Sequence, residues 1–366
     1  MTLSTLLSRT QHYGLLYLLC NLLFNLSWGG AQTSVHMKAQ GSVHATRLLE
    51  LSLQPYINQL RLEEQLHIRV AYKSDSFQDN LERLLAEEVD FIVSLQATPL
   101  DMRYYGNSPL SQEGKARELL QVPLAVFPLI PVYNFAPLYD NLPIRLNAEL
   151  LSHIYLGNIL FWDDSAIAAL NPNSKLPHLP ITVVYLEDEE LNRIFHNFLA
   201  GAHSYWQHIT PNYYPHGYAA KDEGELQRIL EQTPGSIGFS GVAFARASKL
   251  SEISVLNHQG RIVRPEQLAL LYASNGDLGE YFEKPYRGTQ DPNAWPISGL
   301  VYLISFKQQN YAGHDNFFVA QARRMFAWLA NDASRYGTQW YYGGIHSEAR
   351  ERATLVLNNI YLEGTE

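Results

Sequence analysis

The sequence predicts an α/β protein in two lobes, each a mostly parallel sheet flanked by helices, joined by two crossover segments. Three observations predict it. Apolar strands alternate with amphipathic helices along the chain, at the spacing of parallel βαβ units. Two proline-interrupted extended stretches, "LQVPLAVFPLIPVYNF" (120–135) and "AWPISGLVYLIS" (294–305), lie far apart, as segments leaving and re-entering a lobe would. The length of 366 residues suits one bilobal unit better than one small core. The expected division is residues 32–127 plus 296–366 for lobe one and 128–295 for lobe two, after a signal at 1–31.

The elements follow in order. "SVHMKAQGSVHATRLLELSLQPYINQL" reads as a strand, a loop at Gly41 and a helix, and "LHIRVAYKS" as a second strand. "DNLERLLAEEVDFIVS" is a helix with Leu81, Leu84 and Leu85 on one face, running into a strand. "LNAELLSHIYLGNILFWDDSAIAALNP" holds two helices around a glycine turn. "LPITVVYLEDEELNRIFHNFLA" (179–200) is a buried strand, a turn with the acids Glu187, Asp188, Glu189 and Glu190, and an amphipathic helix. "EGELQRILEQTPGSIGFSGVAFARA" is a helix stopped at Pro234–Gly235, then a strand.

Composition narrows the function. The chain is 46% hydrophobic and 17% charged, which is globular, and its formal charge of −9 without a basic stripe excludes a nucleic-acid partner. Arg9 precedes the apolar run "YGLLYLLCNLLFNLSW" (13–28), followed by Gly29 and Ala31; this is the grammar of an export signal cleaved after Ala31, placing the protein in the periplasm. The alternative is an uncleaved anchor, 13–28, on the outer face of the inner membrane; the run falls short of the ~20 apolar residues a span needs. Cys20 is the single cysteine, so a cleaved chain has no disulfide or thiolate metal site.

With these stretches in this order, the chain resembles the phosphate-binding proteins of the high-affinity ABC phosphate importer (PstS-like). The resemblance is carried by the two-helix segment above, "LPITVVY" (179–185), "TPGSIGFSGVAFA" (233–245), "VDF" (89–91), "WPISGLVYLI" (295–304) and "AQGSVH" (39–44). It implies a type II periplasmic-binding-protein fold with a ligand cleft between the lobes. It also implies a small solute as ligand, an ABC permease or a sensor as partner, a monomer, no cofactor and no enzymatic activity. In that family a phosphate is held by backbone N–H groups at helix starts, hydroxyls, an Arg and an Asp.

Carried over residue by residue, the ligand motifs are degenerate here. The family's first loop falls on Gly41, Ser42, Val43 and His44. Its Gly-Ser-Ser-Gly-Gly falls on Ser76, Phe77, Gln78, Asp79 and Asn80, and its Asp on Leu95. Where the family has Arg-x-Asp-Gly-Ser-Gly-Thr, this chain has "YLEDEELN": the Arg position holds Tyr185 or Leu186, and the later donors fall among Glu190, Leu191 and Asn192. Each lost hydrogen bond to a charged group costs ~1.5–3 kcal/mol, and ~1.4 kcal/mol is tenfold in affinity. Tight phosphate binding is therefore not expected. For an anion the candidate contacts are Ser42, Val43, His44, Ser76 and Gln78; for a cationic ligand, Glu187, Asp188, Glu189 and Glu190.

Quieter explanations stand beside these. Asp188 is a good N-cap and glutamates in a first turn complement the helix dipole. His196, His203, His208 and His216 lack the tight pair spacing of a metal motif. Tyr213, Tyr214 and Tyr218 either face a ligand or pack on the second lobe. "GFSG" (238–241) is not Gly-x-Ser-x-Gly, since Val242 replaces the last glycine, and no catalytic grammar appears. A rival to solute binding is a protein–protein or sensory module on a vestigial binding-protein scaffold.

Overall fold

A computed structural model describes residues 34–98, 104–105, 117–136, 138, 142–211, 213–257, 259–266, 282, 293 and 295–362. The expected signal, the alternative anchor and Cys20 lie outside the described residues.

The first lobe opens with β1 (Ser34–Gly41), a single 3-10 turn (Val43–Ala45) and α1 (Thr46–Glu63), then β2 (His67–Ser74), α2 (Phe77–Leu85) and β3 (Phe91–Ser94). β1 pairs in parallel with β2 and β3, as βαβ connections require. After β4 (Tyr104–Tyr105) the chain enters β5 (Arg117–Tyr133), whose three prolines do not break it. β5 pairs antiparallel with β12 (Ser298–Phe306). Val301 faces Ala125 and Tyr302 faces Pro123, so Leu124 is an extra residue in a bulge beside the proline.

β5 changes partner within its length. Up to Pro128 it pairs with β12; from Leu129 it pairs with β9 (Ser236–Gly241). β9 leads to β7 (Thr182–Leu186) and β8 (Gly217–Ala220) in parallel, so one ten-stranded path, β2-β1-β3-β12-β5-β9-β7-β8 with two short side strands, links both lobes among the described residues. The change of partner is pinned at the same place by Trp295 Nε1 donating to Leu129 O at 2.7 Å and Leu129 N donating to Ile297 O at 2.9 Å.

The second lobe adds β6 (Arg145–Asn147), α3 (Ala148–Tyr155), α4 (Ser165–Leu170), α5 (Glu189–Ala202), α6 (Glu223–Gln232), α7 (Val242–Ala247), β10 (Ser251–Glu252) and β11 (Ser254–Leu256). The helix starts are the side chains that such starts favour: Asn147, Asp164, Asp188 and Asp222 each accept an N–H from the first turn. The chain returns through β12 and closes with α8 (Asn316–Gly337), which packs on α1 and β5, and α9 (Ser347–Leu357), which packs on α8 and β5. Among the described residues no helix is long and apolar enough to cross a membrane.

Lobe two has an aromatic core. Phe195 stacks on Phe239 at 4.2 Å between centroids, and Tyr155, Tyr214 and Trp206 fill around them. That seats the middle of α5 on β9 through Phe195. α5 also reaches across to β12, where a Cβ on Gly299 would stand 2.5 Å from Ile194 Cδ1; the glycine is what lets the helix lie on the crossing strand.

Candidate functional site

The site begins where β1 ends. Ser42 N donates to Val93 O at 2.7 Å, drawing the ends of β1 and β3 together, and Tyr72 Oη of β2 donates to Ser42 O at 2.7 Å. A Cβ on Gly41 would stand 2.0 Å from Val93 O, a backbone atom that cannot step aside, so glycine is needed for this approach. The effect is to set Ser42, Ser94 and the N–H of Leu95 on one rim of lobe one. Ser42, Ser94 and Leu95 are all buried.

An acid of lobe two sits on that rim. Glu190 Oε1 accepts from Ser94 Oγ and from Leu95 N, both at 2.8 Å, and a hydrogen bond from Ser42 supports the same carboxyl. Beside it, Asp188 Oδ1 caps α5 by accepting from Leu191 N at 2.9 Å, while Oδ2 lies 2.8 Å from His44 Nε2. An ionised carboxylate only accepts, so Nε2 carries the proton of this bond. The lobes are thus joined by two side-chain contacts from the first turn of one helix.

A third carboxylate completes the cluster. Glu223, the first residue of α6, accepts from Gly241 N at 2.7 Å and from Ser240 Oγ at 2.5 Å, and its charge reaches His44. The arrangement repeats that of Glu190: a serine hydroxyl and the following backbone N–H converge on one carboxylate oxygen. Phe127 and Tyr342 wall the imidazole, with Phe127 5.6 Å from the His44 ring and the Tyr342 hydroxyl donating to His44 O.

Burial and charge shape how these groups titrate. Burial works to lower the His44 pKa, but the hydrogen bond and charge of Asp188, with the charges of Glu223 and Glu190, hold it above the ordinary imidazole value. Burial works to raise Asp188, but the His44 bond and charge and two backbone N–H groups hold it below the ordinary carboxylate range. Glu190 is lifted by burial, which outweighs its bonds to Ser42, Ser94 and Leu95 and the charge of His44.

The sequence-predicted residues divide. Ser42, His44, Asp188 and Glu190 come together; the structure brings no other candidate to the cluster. Val43 is 60% exposed in its turn. Ser76 caps α2, accepting from Asp79 N and donating to Asp79 Oδ2, and Gln78 reaches outward to Glu82 on the same helix. Glu187 is exposed, and Glu189 pairs with Arg193 one turn on. At the family's Arg position, Leu186 is buried and the Tyr185 ring packs on Tyr214, so neither offers a cation.

The remaining candidates divide between packing and solvent. Tyr214 is buried among Tyr155, Trp206 and Phe239, whereas Tyr213 and Tyr218 are exposed. His196 is buried edge-on to Trp206, His203 caps Tyr205 N, and the His216 ring lies over Gly157. Glu223, Ser94 and Tyr72 were not singled out from the sequence, and Ser240 was weighed there only within "GFSG" as a nucleophile motif. Glu223 carried a signal there, as a carboxylate at a helix start directly after an Asp N-cap.

The chain is similar to known phosphate-binding proteins in sequence and in fold. The phosphate-binding protein PstS of Xylella fastidiosa is 27% identical over 285 residues, covering 75% of this chain and 73% of the relative. The PstS of Haemophilus influenzae is 24% identical over 253 residues, covering 66% of this chain and 71% of that one. Among solved structures, a high affinity periplasmic phosphate-binding protein (PfluDING) bound with phosphate superposes with a TM-score of 0.59 at 15% identity, over 87% of this chain and 92% of the other, which shows a shared two-lobed fold. A family model described as a PBP superfamily domain matches residues 38–332. The chain belongs to the PBP superfamily.

Proposed function

We propose that this is an exported, PstS-like solute-binding protein whose cleft excludes phosphate, because its own Glu190 carboxylate occupies the donors an oxyanion would use. The observation that carries the reading is Glu190 Oε1 on Ser94 Oγ and Leu95 N. A doubly negative phosphate entering here would displace Glu190 and then face Asp188 and Glu223. Each like-charge contact at ~4 Å costs ~1–4 kcal/mol at the dielectric of a partly solvated cleft, so two or three together remove several orders of magnitude in affinity. Solutes with a neutral or positively charged head escape that penalty.

On this reading residues 1–31 direct export to the periplasm, or 13–28 anchor the chain to the inner membrane. The lobes divide at 127/128 and 295/296, and the partner is an importer's permease or a sensor. The rival reading, a protein-recognition or sensory module, has one specific support: the lobes are bridged by the chain's own side chains, His44–Asp188 and Ser94–Glu190, so closure requires no solute.

Thermal-shift and calorimetric titrations test the proposal. A ligand at about a hundred times its Kd stabilises by ~2.7 kcal/mol, an easily read rise in Tm. Millimolar phosphate is expected to leave Tm unchanged and to give no binding heat. A saturable, phosphate-dependent rise would contradict the proposal. In the same format, a response to an amine or neutral solute supports solute binding, and silence throughout favours the recognition module.

A further inference from the structure

Four ionisable side chains meet where the lobes touch. His44 comes from the turn after β1, Asp188 and Glu190 from the start of α5, and Glu223 from the start of α6. The phenols of Tyr72 on β2 and Tyr342 near the C-terminal end border them, each donating to a carbonyl of the Ser42–His44 turn. Arg47, on the first turn of α1, lies over Trp340 at 4.6 Å and acts on Tyr342. With every carboxylate ionised and the imidazole neutral, three negative charges share a space largely shut off from water. Bringing the lobes together in that state is opposed by each pair of charges.

We infer that closure of the lobes is proton-linked, with His44 and Glu190 taking up protons as the Asp188–His44 and Glu190–Ser94 contacts form. This rests on the reading that Glu190 occupies the oxyanion donors. The direction follows from the way each group is perturbed, relative to its ordinary value, where the lobes touch. His44 is held above its ordinary value, so its contribution is complete below that value and lost as pH rises through the raised one. Glu190 is also lifted, so its protonated form favours closure in the same direction. Asp188 is held low, so its half of the ion pair fails only when pH falls through its depressed value. The latch is therefore strongest in the mildly acidic range between the Asp188 and His44 values, and loosens above it.

The test is a distance measurement across the cleft. In a Cys20→Ser background, spin labels at Leu62→Cys on α1 and Lys175→Cys before β7 report lobe separation by pulsed electron resonance; both positions are exposed. The short-distance population is expected to dominate near pH ~5–6 and to decline by up to about tenfold per pH unit for each coupled proton as the solution becomes alkaline. Glu190→Gln, which keeps an acceptor for Ser94 and Leu95 without the titrating proton, is expected to hold the short distance to higher pH. His44→Asn is expected to flatten the profile. A separation independent of pH, or both variants keeping the wild-type profile, overturns the inference. Added inorganic phosphate separates the two claims: shortening by phosphate at every pH defeats the excluded-phosphate reading, while a flat pH profile with no phosphate effect defeats only the proton linkage.

Discussion

Truncating Trp162 to alanine is expected to cost about 3–5 kcal/mol of stability, read as a lowered urea midpoint of the lobe-two transition. The indole is fully buried, edge-on to Phe135 at 4.8 Å and tilted on Tyr133 at 6.0 Å. Its Nε1 donates to Gly235 O at 2.8 Å, at the turn that starts β9. Gly235 has a φ of +84° and a Cβ there would stand 2.4 Å from Pro180 O, so this turn has one conformation and the indole is its anchor. Alanine removes the packed ring and one of the two donors to Gly235 O, which keeps Thr182 N at 3.1 Å, so the lost packing carries most of the cost. Trp162→Phe is expected to recover part of the packing and none of the hydrogen bond. A loss under about 1 kcal/mol for the alanine variant would show that the cluster repacks and that the β9 turn holds by itself.

The second large effect is expected from His44→Ala, and it concerns shape more than unfolding. The imidazole is the cation facing Asp188, Glu190 and Glu223. Breaking a buried pair by removing one partner costs ~3–5 kcal/mol when the remaining charge cannot reach water. Here the lobes can part and let it, so the free energy appears as an opened molecule. Small-angle scattering should show a larger radius of gyration than wild type near neutral pH, with most of the thermal stability kept because the lobe cores are untouched. Adding Asp188→Asn to the alanine variant relieves the repulsion and should return part of the compaction. Identical scattering from wild type and His44→Ala would show that the ion pair contributes nothing to closure.

Much of the frame was legible in the chain, and for identifiable reasons. The prolines at 123, 128 and 131 exclude a helix, and an apolar run too long for one strand of a small lobe had to cross between two, which is what β5 does. Asp188 as an N-cap was equally readable, because capping is local. What the local grammar concealed was that one carboxylate does two jobs, capping α5 with one oxygen and holding His44, 144 residues away, with the other. Glu190 could not be separated from Glu187 and Glu189 by type. Helical rotation separates them, leaving Glu189 toward Arg193 and turning Glu190 inward.

Ser76 and Gln78, expected at a ligand loop, stand at the start of α2 for a physical reason that the residues themselves carried. Ser76-Phe-Gln-Asp79 is a helix-start signature in which the serine is already committed to the N–H three residues on, and Phe77 supplies an apolar side chain for the core. Glu223 escaped because its partners, Ser240 and Gly241, lie across a helix and a strand and are brought to it by the packing of α6 on β9.

A crystal grown from phosphate solution asks the central question directly: which group sits on Ser94 Oγ and Leu95 N. The account predicts a Glu190 oxygen within hydrogen-bonding distance of both, as in the 2.8 Å contacts here, and Asp188 still on His44. Phosphate oxygens in that place, with Glu190 swung into solvent, would contradict it.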